Sequence, residues 1–121
     1  MGFKLGQVQI FVSDIQKAKK WYSEVLGMKL VEEYPKMKCA RMKLGDTEFF
    51  IETPNPAWGE GWDAVNVGGR TPIIFAVDDV VRTVAVMKKK GVRFVEELSM
   101  RPWGEMKAVF ADPDGNEFNL V

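Results

Sequence analysis

The side chains able to carry chemistry in this chain are few, and they fall on short alternating runs. Glu48, Phe50 and Glu52 alternate with Phe49 and Ile51, which would place two carboxylates and an aromatic ring on one face of a strand. On the preceding run Cys39, Arg41 and Lys43 alternate with Ala40, Met42 and Leu44. Near the N-terminus Gln7, Gln9 and Phe11 alternate with Val8, Ile10 and Val12. A carboxylate in such a setting takes a proton or holds a cation, so Glu48 and Glu52 are the candidates for catalysis. Arg41 is the candidate for an anionic group on a ligand, against a plain salt bridge with Glu48 or Glu52.

What is missing narrows the chemistry further. The 121 residues contain no histidine and one cysteine. Ser-His-Asp and Cys-His mechanisms are thereby excluded, along with the imidazole ligands favoured by zinc, copper and non-haem iron. Cys39 has no partner for an intramolecular disulfide and no base to activate it, which fits a reducing compartment. Lysine plus arginine number 17 and aspartate plus glutamate 17, so the formal net charge is zero. A nucleic-acid module or a polybasic membrane binder would carry a basic excess. No apolar run approaches the roughly eighteen residues of a membrane span, and the first residues lack a signal-type apolar core. The expectation is a cytoplasmic protein with no nucleic-acid or membrane partner.

The elements that must position these side chains are written twice. Ile10-Phe11 and Asp14 recur as Ile74-Phe75 and Asp78, an offset of 64 residues, and Gly27 recurs as Gly91 at the same offset. Val31-Glu32-Glu33 likewise returns as Val95-Glu96-Glu97, while Glu48-Phe49 returns as Glu117-Phe118 at an offset of 69. In the first copy Gln7 to Val12 reads as a strand, and Ser13-Asp14-Ile15-Gln16 has capping-box spacing with Ser13 or Asp14 as N-cap. Ile15, Ala18, Trp21, Tyr22, Val25 and Leu26 follow at helical spacing, with Trp21 expected in the core and Gly27 as the left-handed stop. Three strands follow: Met28 to Tyr34, Cys39 to Leu44 and Glu48 to Glu52, punctuated by Pro35 and Gly45-Asp46.

The second copy reads Thr71 to Val77 as a strand, then a helix capped by Asp78 or Asp79 with Val80, Val84 and Met87 on its stripe. Lys88-Lys89-Lys90 is helix-end electrostatics, and Gly91 ends the helix. Arg93 to Leu98, Glu105 to Ala111 and Glu117 to Val121 are its remaining strands. The fold class expected is α+β, with two tandem βαβββ modules forming a curved, mostly antiparallel sheet with a concave ligand cleft. Module 1 covers about residues 5–53, a crossover loop 54–70, and module 2 residues 71–121.

These residues resemble a known family. Asp14, Trp21-Tyr22 and Val25-Leu26-Gly27-Met28 look like the first-module signature of the vicinal oxygen chelate superfamily, which includes glyoxalase I, extradiol dioxygenases and bleomycin-resistance proteins. Pro102-Trp103-Gly104 and Phe110-Ala111-Asp112-Pro113-Asp114-Gly115-Asn116 are similar to its second-module signature. Read on its own, that second run is a tight hairpin turn with no catalytic role for Asp112 or Asp114. In metal-dependent members the resemblance implies four ligands, which here fall on Gln7, Phe50, Thr71 or Pro72, and Asn119. A one-residue slip would bring Glu52 inward instead. Neutral amides hold a transition metal poorly, so no metal and no cofactor are expected.

The face carrying these positions mixes amides, charges and aromatics, as a small-molecule pocket does, although a plainly solvated sheet face reads the same way. Phe11, Phe50 and Met106 would be wasted on a wet face, and the loop tryptophans Trp58, Trp62 and Trp103 can roof a cleft or form a dimer interface. The ligand-binding set expected is Gln7, Gln9, Phe11, Arg41, Phe50, Glu52, Trp103, Met106 and Asn119. The resemblance to bleomycin-resistance proteins implies a homodimer holding a small aromatic or amphipathic molecule. Two other readings stand beside it: a metal-dependent lyase, isomerase or dioxygenase of the glyoxalase type, and a dimeric scaffold or regulatory module without a ligand.

Overall fold

The computed structural model describes residues 2–61 and 66–121; Trp62, one of the three loop tryptophans, lies outside them. The chain divides into two compact units, Met1–Val67 and Gly68–Val121, and each is a βαβββ module.

In the first unit β1 (Val8–Phe11) leads into α1 (Ile15–Leu26), followed by β2 (Lys29–Tyr34), β3 (Cys39–Leu44) and β4 (Thr47–Glu52). The strand order is β1-β4-β3-β2, with β1 parallel to β4 and the other pairs antiparallel. Asp14 is the N-cap of α1, its side chain accepting from the Lys17 N–H at 3.1 Å. Gln16, at capping-box spacing from Ser13, donates its side-chain amide to Glu33 on β2 at 2.9 Å. Gly27 closes the helix in the left-handed conformation, φ +74°.

The faces of this sheet follow from the register. Glu33 pairs across from Ala40 and is held by Lys19 and Gln16 of α1, so α1 covers the face that carries Ala40. Met42, Phe49, Ile51 and Ile10 share that face and are buried with Ile15, Ala18 and Tyr22 of the helix. Burying each large apolar side chain contributes about 1.5–3 kcal/mol, which sets the register of all four strands. Trp21, expected in the core, is only half-buried and packs edge-on against Tyr22 at 4.9 Å between ring centres.

The second unit repeats the plan with β5 (Gly69–Phe75), α2 (Val80–Lys89), β6 (Arg93–Met100), β7 (Met106–Ala111) and β8 (Asn116–Leu120), ordered β5-β8-β7-β6. Asp79, not Asp78, caps α2, accepting from the Arg82 N–H at 3.0 Å. Lys88 reaches from α2 to 5.6 Å from the centre of the Phe94 ring, which marks the covered face of this sheet. Phe75, Phe110 and Phe118 form an aromatic cluster on that face, with ring centres 5.4 to 6.1 Å apart.

Two local features depart from the plain alternating pattern. The β5–β8 ladder shifts register between Arg70 and Ile74, around Pro72, which has no N–H to give. Thr71 spans the gap, its hydroxyl donating to the Glu117 carbonyl at 2.7 Å. At the other end of the unit, Asp112-Pro113-Asp114-Gly115-Asn116 is the expected turn between β7 and β8, and it also holds the entry to β5. The Gly68 N–H donates to the Asn116 side chain and the Gly69 N–H to the Gly115 carbonyl, each at 2.9 Å.

Candidate functional site

On β4 the residues turned away from α1 are Glu48, Phe50 and Glu52, as alternation requires. Parallel pairing with β1 sets Gln9 beside Phe50 and Phe11 beside Glu52, while β3 sets Arg41 and Cys39 beside the same two residues. A pocket of about 500 Å³ opens on this face, lined among the described residues by Gln7, Gln9, Phe50, Glu52 and Trp58.

Glu52 is the centre of the pocket's electrostatics. It is 1% exposed, and one carboxylate oxygen accepts a hydrogen bond from the Gln9 side-chain amide. The other oxygen, Oε2, is buried without a hydrogen-bond partner. Burial pushes the Glu52 carboxyl above the usual carboxylate range, and the Gln9 hydrogen bond only partly offsets this. Cys39 sits opposite on β3, buried, its thiol pushed up by burial and by the Glu52 charge. A thiol so placed is inert, in keeping with the absence of an activating base.

Arg41 is paired with its neighbours on this face and is absent from the described pocket lining. Its Nε donates to Glu48 at 3.1 Å, and its NH1 to Glu32 at 3.4 Å and to the Tyr34 hydroxyl at 3.3 Å. The hydrogen bond from Tyr34 to Glu32 at 3.1 Å ties this group together. Of the two salt bridges expected for Arg41, the one to Glu48 forms. Tyr34 stacks on Phe50 with ring centres 6.4 Å apart, holding one aromatic wall of the pocket.

The other aromatic wall comes from Trp58, at the end of a short 3₁₀ turn, Pro56–Trp58. Asn55 caps that turn, accepting from the Ala57 N–H at 3.0 Å. The sequence signal was Asn-Pro before a tryptophan that lies on no helical stripe. Trp58 stood only among the loop aromatics able to roof a cleft, and the structure brings it to Gln7, Gln9, Phe50 and Glu52. Phe11 is half-buried beside Glu52.

Three expected ligand-binding residues belong to the second module. Trp103 lies in the β6–β7 turn, 67% exposed, its indole N–H 3.5 Å from Glu105. Asn119 faces away from α2 and donates to the Ile73 carbonyl at 3.5 Å. Met106 opens β7, half-buried and paired with Met100 of β6. On the open face of this module Glu96 instead gathers Arg70 at 2.6 Å and Arg101 at 2.9 Å, which hold its carboxyl below the usual range.

Residues 4–120 match the family described as Glyoxalase/Bleomycin resistance protein/Dioxygenase superfamily. A crystal structure of a member of that superfamily from Sphaerobacter thermophilus is 30% identical, with a TM-score of 0.81 over 98% of this chain and 96% of that one. The chain is 30% identical to the uncharacterized protein YetH of Bacillus subtilis, over 97% of this chain and 96% of that protein. It is 35% identical to a probable chloroplastic lactoylglutathione lyase of Arabidopsis thaliana over 91% of its own length, but it spans only 33% of that protein. Fold, repeat and similarity agree, and the chain belongs to the glyoxalase/bleomycin resistance protein/dioxygenase superfamily.

The metal implied for some members can be tested against the side chains present. Gln7 and Glu52 line the pocket together, as the slipped alignment requires, whereas Phe50 offers a ring and Pro72 no ligand atom. Thr71 has its hydroxyl bound to the Glu117 carbonyl. Among the described residues no group of three or more Cys, Asp or Glu converges on one point. One carboxylate and neutral amides do not match the donor set of a zinc, nickel or iron site.

Proposed function

We propose that this protein binds a small aromatic or amphipathic molecule in the first-module pocket, without a transition metal. The observation that carries this is the composition of the pocket wall: two aromatic rings, Phe50 and Trp58, around the polar group of Gln7, Gln9 and Glu52. A cavity of about 500 Å³ suits such a ligand, with the rings supplying contact area and the polar atoms orientation. Metal analysis of protein purified without chelators tests the metal-free part. Less than about a tenth of an equivalent of zinc, nickel, iron or manganese is expected, and near-stoichiometric metal would overturn it.

One observation favours a second reading, proton transfer by Glu52. Its Oε2 has no partner and its carboxyl titrates high, both of which suit a general base. Arg41 is paired with Glu48 and is absent from the described pocket lining. The homodimer implied by the resemblance belongs to the same proposal, and sedimentation equilibrium checks it.

A further inference from the structure

We propose that the first-module pocket selects ligands carrying a protonated amine on an aromatic ring, the ammonium group pairing with Glu52. This rests on the pocket reading above and narrows it to a ligand class.

The inference starts from an imbalance in hydrogen bonding. A carboxylate offers about four acceptor sites, and Glu52 uses one oxygen, toward Gln9, while Oε2 is buried without a partner. Among the described residues it is the one buried side-chain polar atom without a partner, so it lacks a donor that something outside the fold can supply. Glu52 is also the one charged side chain among the described residues that line the pocket. Among the described lining residues there is no cation to receive an anionic ligand. Arg41, one strand away, spends its donors on Glu48, Glu32 and Tyr34.

The geometry supplies an entrance. Gln9 is exposed and holds the buried carboxyl through one side-chain hydrogen bond. Its amide can turn outward about its own torsions, opening Glu52 to the pocket, and an ammonium then meets both oxygens with its three donors. Phe50 and Trp58 receive the aromatic part and, at their faces, favour positive charge. A ligand carboxylate in the same place meets the like charge of Glu52.

Three probes of one size separate the possibilities: benzylamine, benzyl alcohol and benzoate, each titrated into the protein and followed by ¹H–¹⁵N correlation spectra, with the Trp58 indole signal assigned through Trp58→Phe. Benzylamine should bind about tenfold more tightly than benzyl alcohol, and benzoate should leave the spectrum unchanged. Glu52→Gln should lower benzylamine affinity about tenfold, and a cooperative thermal unfolding transition shows that the variant is folded. Equal affinities for amine and alcohol, or benzylamine binding untouched by Glu52→Gln, would overturn the amine inference and leave the pocket standing. If none of the three shifts the signals of Gln9, Glu52 and Trp58, the pocket reading fails and this inference with it.

Discussion

Gln9 on β1 donates its side-chain amide to the carboxylate of Glu52 on the parallel neighbour β4, across the ladder that also pairs Gln9 with Phe50. It is the one hydrogen bond given to a buried carboxyl whose other oxygen has none. The pair joins the two strands at the point where the pocket is deepest in chemistry, and its energetics can be measured directly.

Glu52→Gln should stabilise the fold near neutral pH. The carboxyl titrates higher in the folded chain than in the unfolded one, so the charge is a cost to folding above the folded pKa. That cost is relieved as pH falls through the folded pKa and is gone below the unfolded value. Thermal unfolding should therefore show Glu52→Gln ahead at pH 7, with the gap closing in acid. Gln9→Ala should act in the opposite sense, costing about 1–3 kcal/mol at pH 7 and less in acid, because it strips the charged form of its donor.

Cys39 should resist alkylation in the native protein. It is 1% exposed, and both burial and the facing Glu52 charge hold it in the thiol form. Iodoacetamide labelling at pH 8 should follow the global unfolding rate, and fast stoichiometric labelling would contradict the placement.

Gly68→Ala should be among the more damaging single changes in the chain. Gly68 has φ +92°, and a Cβ there would meet the Asp114 carbonyl oxygen at 2.7 Å. Backbone strain of this kind costs about 1–3 kcal/mol before the clash is counted. Asn116→Ala removes the acceptor for the same Gly68 N–H and should cost about 1–2 kcal/mol by urea denaturation.

Arg41→Ala should change little by comparison. Its ion pairs with Glu48 and Glu32 are partly solvated and screened, so the shift in the unfolding midpoint should be small and shrink in 0.5 M salt. Probe binding in the pocket should change less than about twofold, because Arg41 is absent from the described lining.

The repeat and the period-2 patterning made most of the fold legible. Gln7-Gln9-Phe11 against Val8-Ile10-Val12, and Glu48-Phe50-Glu52 against Phe49-Ile51, could be assigned to faces because burial tolerates no slip of one residue. Site membership was less legible, because it depends on events that alternation does not encode. The inward placement of Glu52 with Gln7 depends on parallel registration with β1, which no local pattern specifies. Trp58 reaches the pocket through a single 3₁₀ turn capped by Asn55, inside a segment legible only as loop. Arg41 could be paired or free on sequence grounds, and only the distances to Glu48, Glu32 and Tyr34 decide it.

The measurement that bears most directly on the central claim is a titration of benzyl alcohol into protein first dialysed against EDTA, read by ¹H–¹⁵N correlation spectra. A metal-free aromatic pocket should give saturable shifts confined to the neighbourhood of Gln7, Gln9, Phe50, Glu52 and Trp58, unchanged by later addition of one equivalent of zinc or nickel. Shifts that appear only after the metal is added, or that fall elsewhere in the chain, would contradict it.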